Sequence, residues 1–432
     1  MSSAAPSALL LEQVQLLEGP NQAPVVTTVL LQAGVFCAQG DAARQQGAAL
    51  GLTPLRAEGW WLAPSLIDPH STLEDPWLGT AETLASLERS AIAAGYGTVA
   101  LLPKAHSWRD CPERLRPLSD GTGLQWLLWG SFSRGGQGQE LAGHADQLAA
   151  GALGLAEGEN APPLPLLERG LSLGEWGQAP LLLAPRDGAL SHNGFVREGV
   201  EALRAGWPPD PVVSETLPLQ GLLALVRHTP AVRLQLMNLS TAAAVELLAA
   251  LPPERRPEAS VCWWHLLADS ASLDPLAEGW RVVPPLGNAG DRRALQRALA
   301  EGVITAVAVH HQALDPEEQL LPLDQRKPGV AGHRFVLPCL WRELVVGAGW
   351  SAAQLWQALC FGPAALLGLE PPRLQPGSRR WLLFDPAHRW LPTNDPWAPL
   401  AANQPLARAE LCGRVLATGL NPELWLGPTP AG

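Results

Sequence analysis

Leu62-Ala63-Pro64-Ser65-Leu66-Ile67-Asp68-Pro69-His70-Ser71-Thr72-Leu73 is a short apolar run that ends in polar side chains, and the helix-like stretch Thr80 to Ala94 follows it. The run reads as a buried strand feeding a helix. The same pair of signals recurs downstream. Gly97-Thr98-Val99-Ala100-Leu101-Leu102 is followed by a polar helix, and Gln125 to Trp129, Ala179 to Leu183, Val232 to Met237, Ser260 to Trp264 and Ile304 to Val309 continue the strand series. Strand followed by helix, sustained over most of the chain, predicts an α/β architecture, and the (β/α)8 TIM-like barrel is the favoured form. No internal repeat or long low-complexity segment competes with that reading.

Both ends of the chain have a different character. Val25 to Leu31 and Gly34 to Ala38 alternate as strands do, a Gly-rich interruption follows, and Gly59-Trp60-Trp61-Leu62-Ala63-Pro64 reads as another strand. Near the C-terminus Trp381-Leu382-Leu383-Phe384-Asp385 and Gly413-Arg414-Val415-Leu416-Ala417-Thr418 repeat the pattern. The two ends are therefore expected to build one small β-sandwich domain, from residues 1-62 and 371-432, beside a barrel at 63-370.

Composition narrows the function classes. Hydrophobic residues make up 47% of the 432 and charged residues 16%, so the chain can bury a large core and is not disordered. A net charge of −11 offers no basic surplus for nucleic acid or a membrane surface. Apolar runs such as Ala91 to Leu102 and Val303 to Val309 are too short to span a bilayer. With no basic region ahead of the first apolar stretch, no secretory signal is expected and cytoplasm is the expected compartment. Six dispersed cysteines read as reduced thiols. Lys104 and Lys327 are the only lysines, so a mechanism needing a modified lysine has two candidates.

The opening stretch resembles the first barrel strand of the amidohydrolase superfamily, P-G-[LF]-[IV]-D-x-H-x-H. Further segments resemble bacterial dihydroorotases in the same order along the chain. Ala93 to Val99 with Leu102 to Ala105 is similar to A-G-G-F-T-T-V leading to M-P-N-T, Leu181 to Asp187 to V-I-A-H-C-E-D, and Leu234 to Leu248 to H-I-Q-H-V-S-T-A-G-A-V-E-L. Arg281 to Leu286 is similar to K-V-N-P-P-L, Gly302 to Gln319 to G-x-I-D-x-I-A-T-D-H-A-P-H-x-x-E-E-K, and Phe361 to Leu369 to N-P-A-x-I-L-G-L. The chain is identified as a degenerate member of the dihydroorotase branch of the cyclic amidohydrolases.

That resemblance implies a site in which a Zn²⁺-bound hydroxide acts on a ring carbonyl. Two His at i and i+2 of a strand share a face and can grip one ion. Here His70 is retained and Thr72 replaces the second. Pro185 stands at the A-H-C-E-D histidine, Asn238 at the Q-H-V-S-T histidine, and His310 at the aspartate that acts as ligand and general base. Glu157 lies near a metal-bridging aspartate of the family and otherwise reads as a solvated loop carboxylate. On the substrate side Glu74 replaces the carboxylate-clamping arginine, and Lys104 and Val283 replace two asparagines. Lys104 and Glu74 either pair or stand solvated. His70 is either a residual ligand or an inherited, hydrogen-bonded histidine. Only one of His310 and His311 can face inward with it, and two histidines fall short of the three-ligand norm.

The resemblance alone implies an active dihydroorotase, which interconverts N-carbamoyl-aspartate and dihydroorotate in pyrimidine biosynthesis with zinc. The replaced positions favour the other course the family takes, an inactive chain that scaffolds aspartate transcarbamoylase or forms a homo-oligomer, with no cofactor.

Overall fold

In a computed structural model residues 6–118, 123–229, 232–272 and 281–428 are described. The outermost residues of the expected terminal domain, 1–5 and 429–432, lie outside them.

Eight short parallel strands form the barrel. They are Leu66–Ser71, Tyr96–Leu101, Gln125–Leu128 continued by Gly130–Ser131, Leu155–Ala156, Leu181–Leu183, Leu234–Leu236, Glu258–Cys262 and Ala306–Ala308. The third strand changes partner at Trp129. Its first part pairs with the second strand, with Val99 opposite Trp126, and Gly130 pairs with Leu155. The last and first strands are joined at their C-terminal ends, where the Thr72 amide donates to the His311 carbonyl at 2.8 Å. The barrel is filled rather than hollow. Ile67, Ala100, Ala156, Leu182, Met237 and Ala306 share one buried cluster with Trp129.

The strand Leu155–Ala156 was absent from the expected series. With only two paired residues it is too short to print a periodicity. The helix expected at Thr80 to Ala94 is shorter, Leu84–Ala93, because the Thr83 side chain caps it by accepting from the Ser86 amide. Residues 80–82 are thereby released to line the barrel mouth.

The terminal strands share a single sheet. Trp381–Trp390 pairs antiparallel with Trp61–Pro64 on one side and Leu411–Thr418 on the other. Trp61–Pro64 runs parallel to Ala8–Leu16, which continues through Val25–Gln32 to Val35–Gln39. Ala8–Leu16 was not foreseen. Its register shifts between Leu11 and Val14, with Gln13 at φ 61°, so Leu9 and Leu11 are buried in odd phase and Val14 and Leu16 in even phase. A bulge resets which residues face the core, and simple alternation hides the strand. The stretch read as a Gly-rich interruption is the helix Gly40–Ala49.

Candidate functional site

His70 closes the first barrel strand and is fully buried. Its Nδ1 lies 3.1 Å from His310 Nδ1 and its Nε2 lies 2.8 Å from Ser260 Oγ, on the seventh strand. Ser260 Oγ also accepts from the Asn238 amide at 3.1 Å. Both ring nitrogens of His70 are thus committed within the protein. Burial pushes the His70 imidazole down to about 3, with His310 beside it adding to the effect, and burial pushes His310 down to about 4. Two neutral imidazoles sharing one proton between them form a stable pair. His311 points the other way, its Nε2 lying 3.6 Å from Glu82 Oε2, as the alternation of side chains requires.

Asp68 holds the strand end in place. It accepts from the Val309 amide at 3.0 Å, from His333 Nε2 at 3.1 Å and from the Ser71 hydroxyl. Burial opposes its ionisation, but His333 and these hydrogen bonds outweigh that and keep its carboxyl below the ordinary value. His333 was not anticipated, since it stands well past the last barrel strand.

Pro185, Asn238, Val283 and His310 line one narrow cleft of about 10 Å³, together with Glu159, Arg186, Glu215 and Pro284. Thr72 and Glu74 do not share it and face a different cleft on the rim. Lys104 pairs with Glu159 Oε1 at 3.0 Å and not with Glu74, which is exposed. Burial raises the cost of ionising Glu159, but Lys104 overrides it and keeps that carboxyl low. Glu157 is not solvated. It is buried, accepts from the Ser133 amide at 3.0 Å and from the Ser133 hydroxyl, and burial pushes its carboxyl up to about 7.

A second buried polar group was invisible in the sequence. Arg197 lies 3.4 Å from Asp210 and 3.5 Å from Glu215, and donates to Ser240 Oγ at 2.8 Å. Arg186 pairs with Asp210 at 2.8 Å. The short parallel strands Val196–Arg197 and Pro209–Asp210 bring these charges together. All four charges lie in the segment between the fifth and sixth barrel strands, and nothing in its local sequence marks them, because the two short strands and the helix after them decide which ones meet.

Zinc needs three or four nitrogen, sulfur or carboxylate donors converging on one point. The positions expected to supply them hold His70 with both nitrogens engaged, Thr72 facing another cleft, Pro185, Asn238, His310 with its Nδ1 on His70, and Glu157 with both oxygens on Ser133. Among the described residues no group of three or more His, Cys, Asp or Glu is placed to hold a metal ion. The donor set does not fit zinc.

No model of a known protein family matches the chain. Among solved structures it is similar to the L-hydantoinase (dihydropyrimidinase) of Arthrobacter aurescens, with a TM-score of 0.76 at 18% identity over 95% of this chain and 94% of that one. The dihydropyrimidinase of Brevibacillus agri NCHU1002 gives 0.70 at 17% over 97% and 95%. The fold is that of the hydantoinase-type amidohydrolases. A probable dihydroorotase-like protein of Synechocystis is 34% identical over 94% of this chain and 98% of its own length. A dihydroorotase of Anaeromyxobacter dehalogenans is 29% identical over 79% and 80%, and a dihydroorotase-like protein of Pseudomonas aeruginosa 28% over 84% and 87%. The chain belongs to the dihydroorotase-like family, on a cyclic-amidohydrolase scaffold. Among the described residues no helix is long and apolar enough to cross a membrane.

Proposed function

We propose that this chain is a non-catalytic dihydroorotase homologue whose role is structural, as a partner of aspartate transcarbamoylase in pyrimidine biosynthesis. The observation that carries the reading is the closed donor set of His70. Its two nitrogens bond His310 and Ser260, while Thr72, Pro185 and Asn238 occupy the other ligand positions. In the family zinc would supply a hydroxide at neutral pH, and the residues of this chain do not fit it. The substrate side agrees. In the cleft that holds His310, Val283 has no side-chain donor, and Glu74, which faces the rim cleft instead, leaves that cleft without the family's carboxylate clamp.

The test is metal analysis of the purified protein together with turnover of N-carbamoyl-aspartate, and co-sedimentation with aspartate transcarbamoylase from the same organism. The expected result is sub-stoichiometric zinc, no turnover and a joint complex. Stoichiometric zinc that is lost on His70→Ala, accompanied by turnover, would return the chain to the active dihydroorotases.

A further inference from the structure

The loop after the first barrel strand and the loop after the last meet at the rim, where the Thr80 hydroxyl donates to Asp315 Oδ2 at 3.2 Å. Between them lies a cleft of about 300 Å³. Its walls carry five carboxylates, Glu74, Asp75, Glu82, Asp315 and Glu318, against one ammonium, Lys327, which pairs with Glu318. His106 also faces it. Glu82 is only 3% exposed, and its Oε2 has no hydrogen-bond donor, the closest candidate being His311 Nε2 at 3.6 Å. Burial opposes ionisation of Glu82, yet His311 and the surrounding donors hold it below the ordinary carboxyl value. A strongly negative cleft with an unsatisfied buried carboxylate oxygen in its wall is complementary to a cation.

One wall of the same cleft is the apolar Leu78, 85% exposed. In sequence Trp77, 68% exposed, adjoins it, and Leu320, 84% exposed, follows the lining Glu318 by two residues. Exposed large apolar side chains on the two segments that wall a polar pocket mark a protein-docking surface, since a free small cation would leave them wet. A second copy of this chain is the poorer occupant. A two-fold contact would set the acidic cleft beside its own copy, in a chain already at −11.

We infer that the rim cleft is a docking site for a partner protein that inserts an arginine or lysine side chain flanked by apolar residues. The inference rests on the scaffold reading and names the surface that serves it. Glu74, at the position of the family's anion clamp, reverses the sign of what the mouth accepts.

Binding of the full chain to aspartate transcarbamoylase of the same organism is measured by interferometry at about 50 and about 300 mM salt, ionic strengths that separate screened from unscreened charge pairs. The variants are Glu74→Lys, Leu320→Ser and a distant control, Leu203→Ser, which is exposed on the helix Val200–Ala205. All three sites are exposed, and circular dichroism checks the fold. The expected result is at least about tenfold weaker binding for Glu74→Lys and Leu320→Ser, as for loss of interface anchors, with the control within about twofold and the wild type weakened by salt. A complex that forms normally with both rim variants overturns the docking site and leaves the scaffold reading standing. No complex with the wild type overturns both. A homodimer dispersed by Glu74→Lys overturns the heterologous partner in favour of a second copy.

Discussion

Replacing His310 by asparagine should flatten the acid side of the stability curve, and the size of the effect follows from the buried pair. His310 and His70 are held neutral in the fold, with His310 pushed down to about 4 and His70 to about 3. In the unfolded chain each titrates at about 6.5. Above pH 6.5 neither state binds a proton and the groups contribute nothing to the pH dependence. Between 6.5 and the folded value the unfolded chain binds a proton that the fold refuses, so stability falls as pH falls, by about 1.4 kcal/mol per pH unit and per histidine. From pH 7 to pH 5 that is about 2 kcal/mol for each. Asparagine tolerates the φ of 48° at this position, and removing His310 also removes one cause of the His70 depression. Urea unfolding of wild type and His310→Asn at pH 7 and pH 5 isolates the effect. Subtracting the two proteins cancels groups of opposite sign such as Glu157, whose raised carboxyl favours the fold at low pH. The variant should lose at least about 2 kcal/mol less than wild type over that interval. Equal losses would mean that His310 is charged in the fold, and the neutral pair would be wrong.

Arg197→Met strands Glu215 as a buried, uncompensated carboxylate and leaves Asp210 with Arg186 alone, and should cost about 3–5 kcal/mol by urea denaturation, whereas adding Glu215→Gln should restore most of it. An unaltered midpoint in the single variant would sink that account. Because Thr72 faces the rim cleft while Pro185, Asn238 and His310 line the other one, the four-fold variant Thr72→His, Pro185→His, Asn238→His and His310→Asp should still hold less than one zinc per chain, read by metal analysis. Stoichiometric zinc in that variant would show that the two clefts are one site. Ser260→Ala leaves the His70 Nε2 and the Asn238 amide without their shared partner and should cost about 1–3 kcal/mol, the penalty of an unmade buried hydrogen bond, measured by thermal or urea unfolding.

The sequence by itself determined the barrel, the family and the identity of what is missing. Repeated apolar strands with helices between them leave a period that needs no tertiary context, and motif order along the chain is a one-dimensional property. His70, Thr72, Pro185, Asn238 and His310 were therefore legible as positions. Their use was not. Only folding shows that both His70 nitrogens are consumed by His310 and Ser260, that Thr72 and Glu74 face a different cleft from Pro185 and Val283, and that Lys104 chooses Glu159 over Glu74. Partners about 190 to 240 residues apart leave no local trace, since hydrogen bonds and ion pairs are set by distance in space. The Arg197 cluster was hidden because the pairing of the two short strands Val196–Arg197 and Pro209–Asp210 decides which charges meet, Leu155–Ala156 because two residues have no period, and Ala8–Leu16 because its bulge shifts the alternation by one residue and so turns the second half of the strand over.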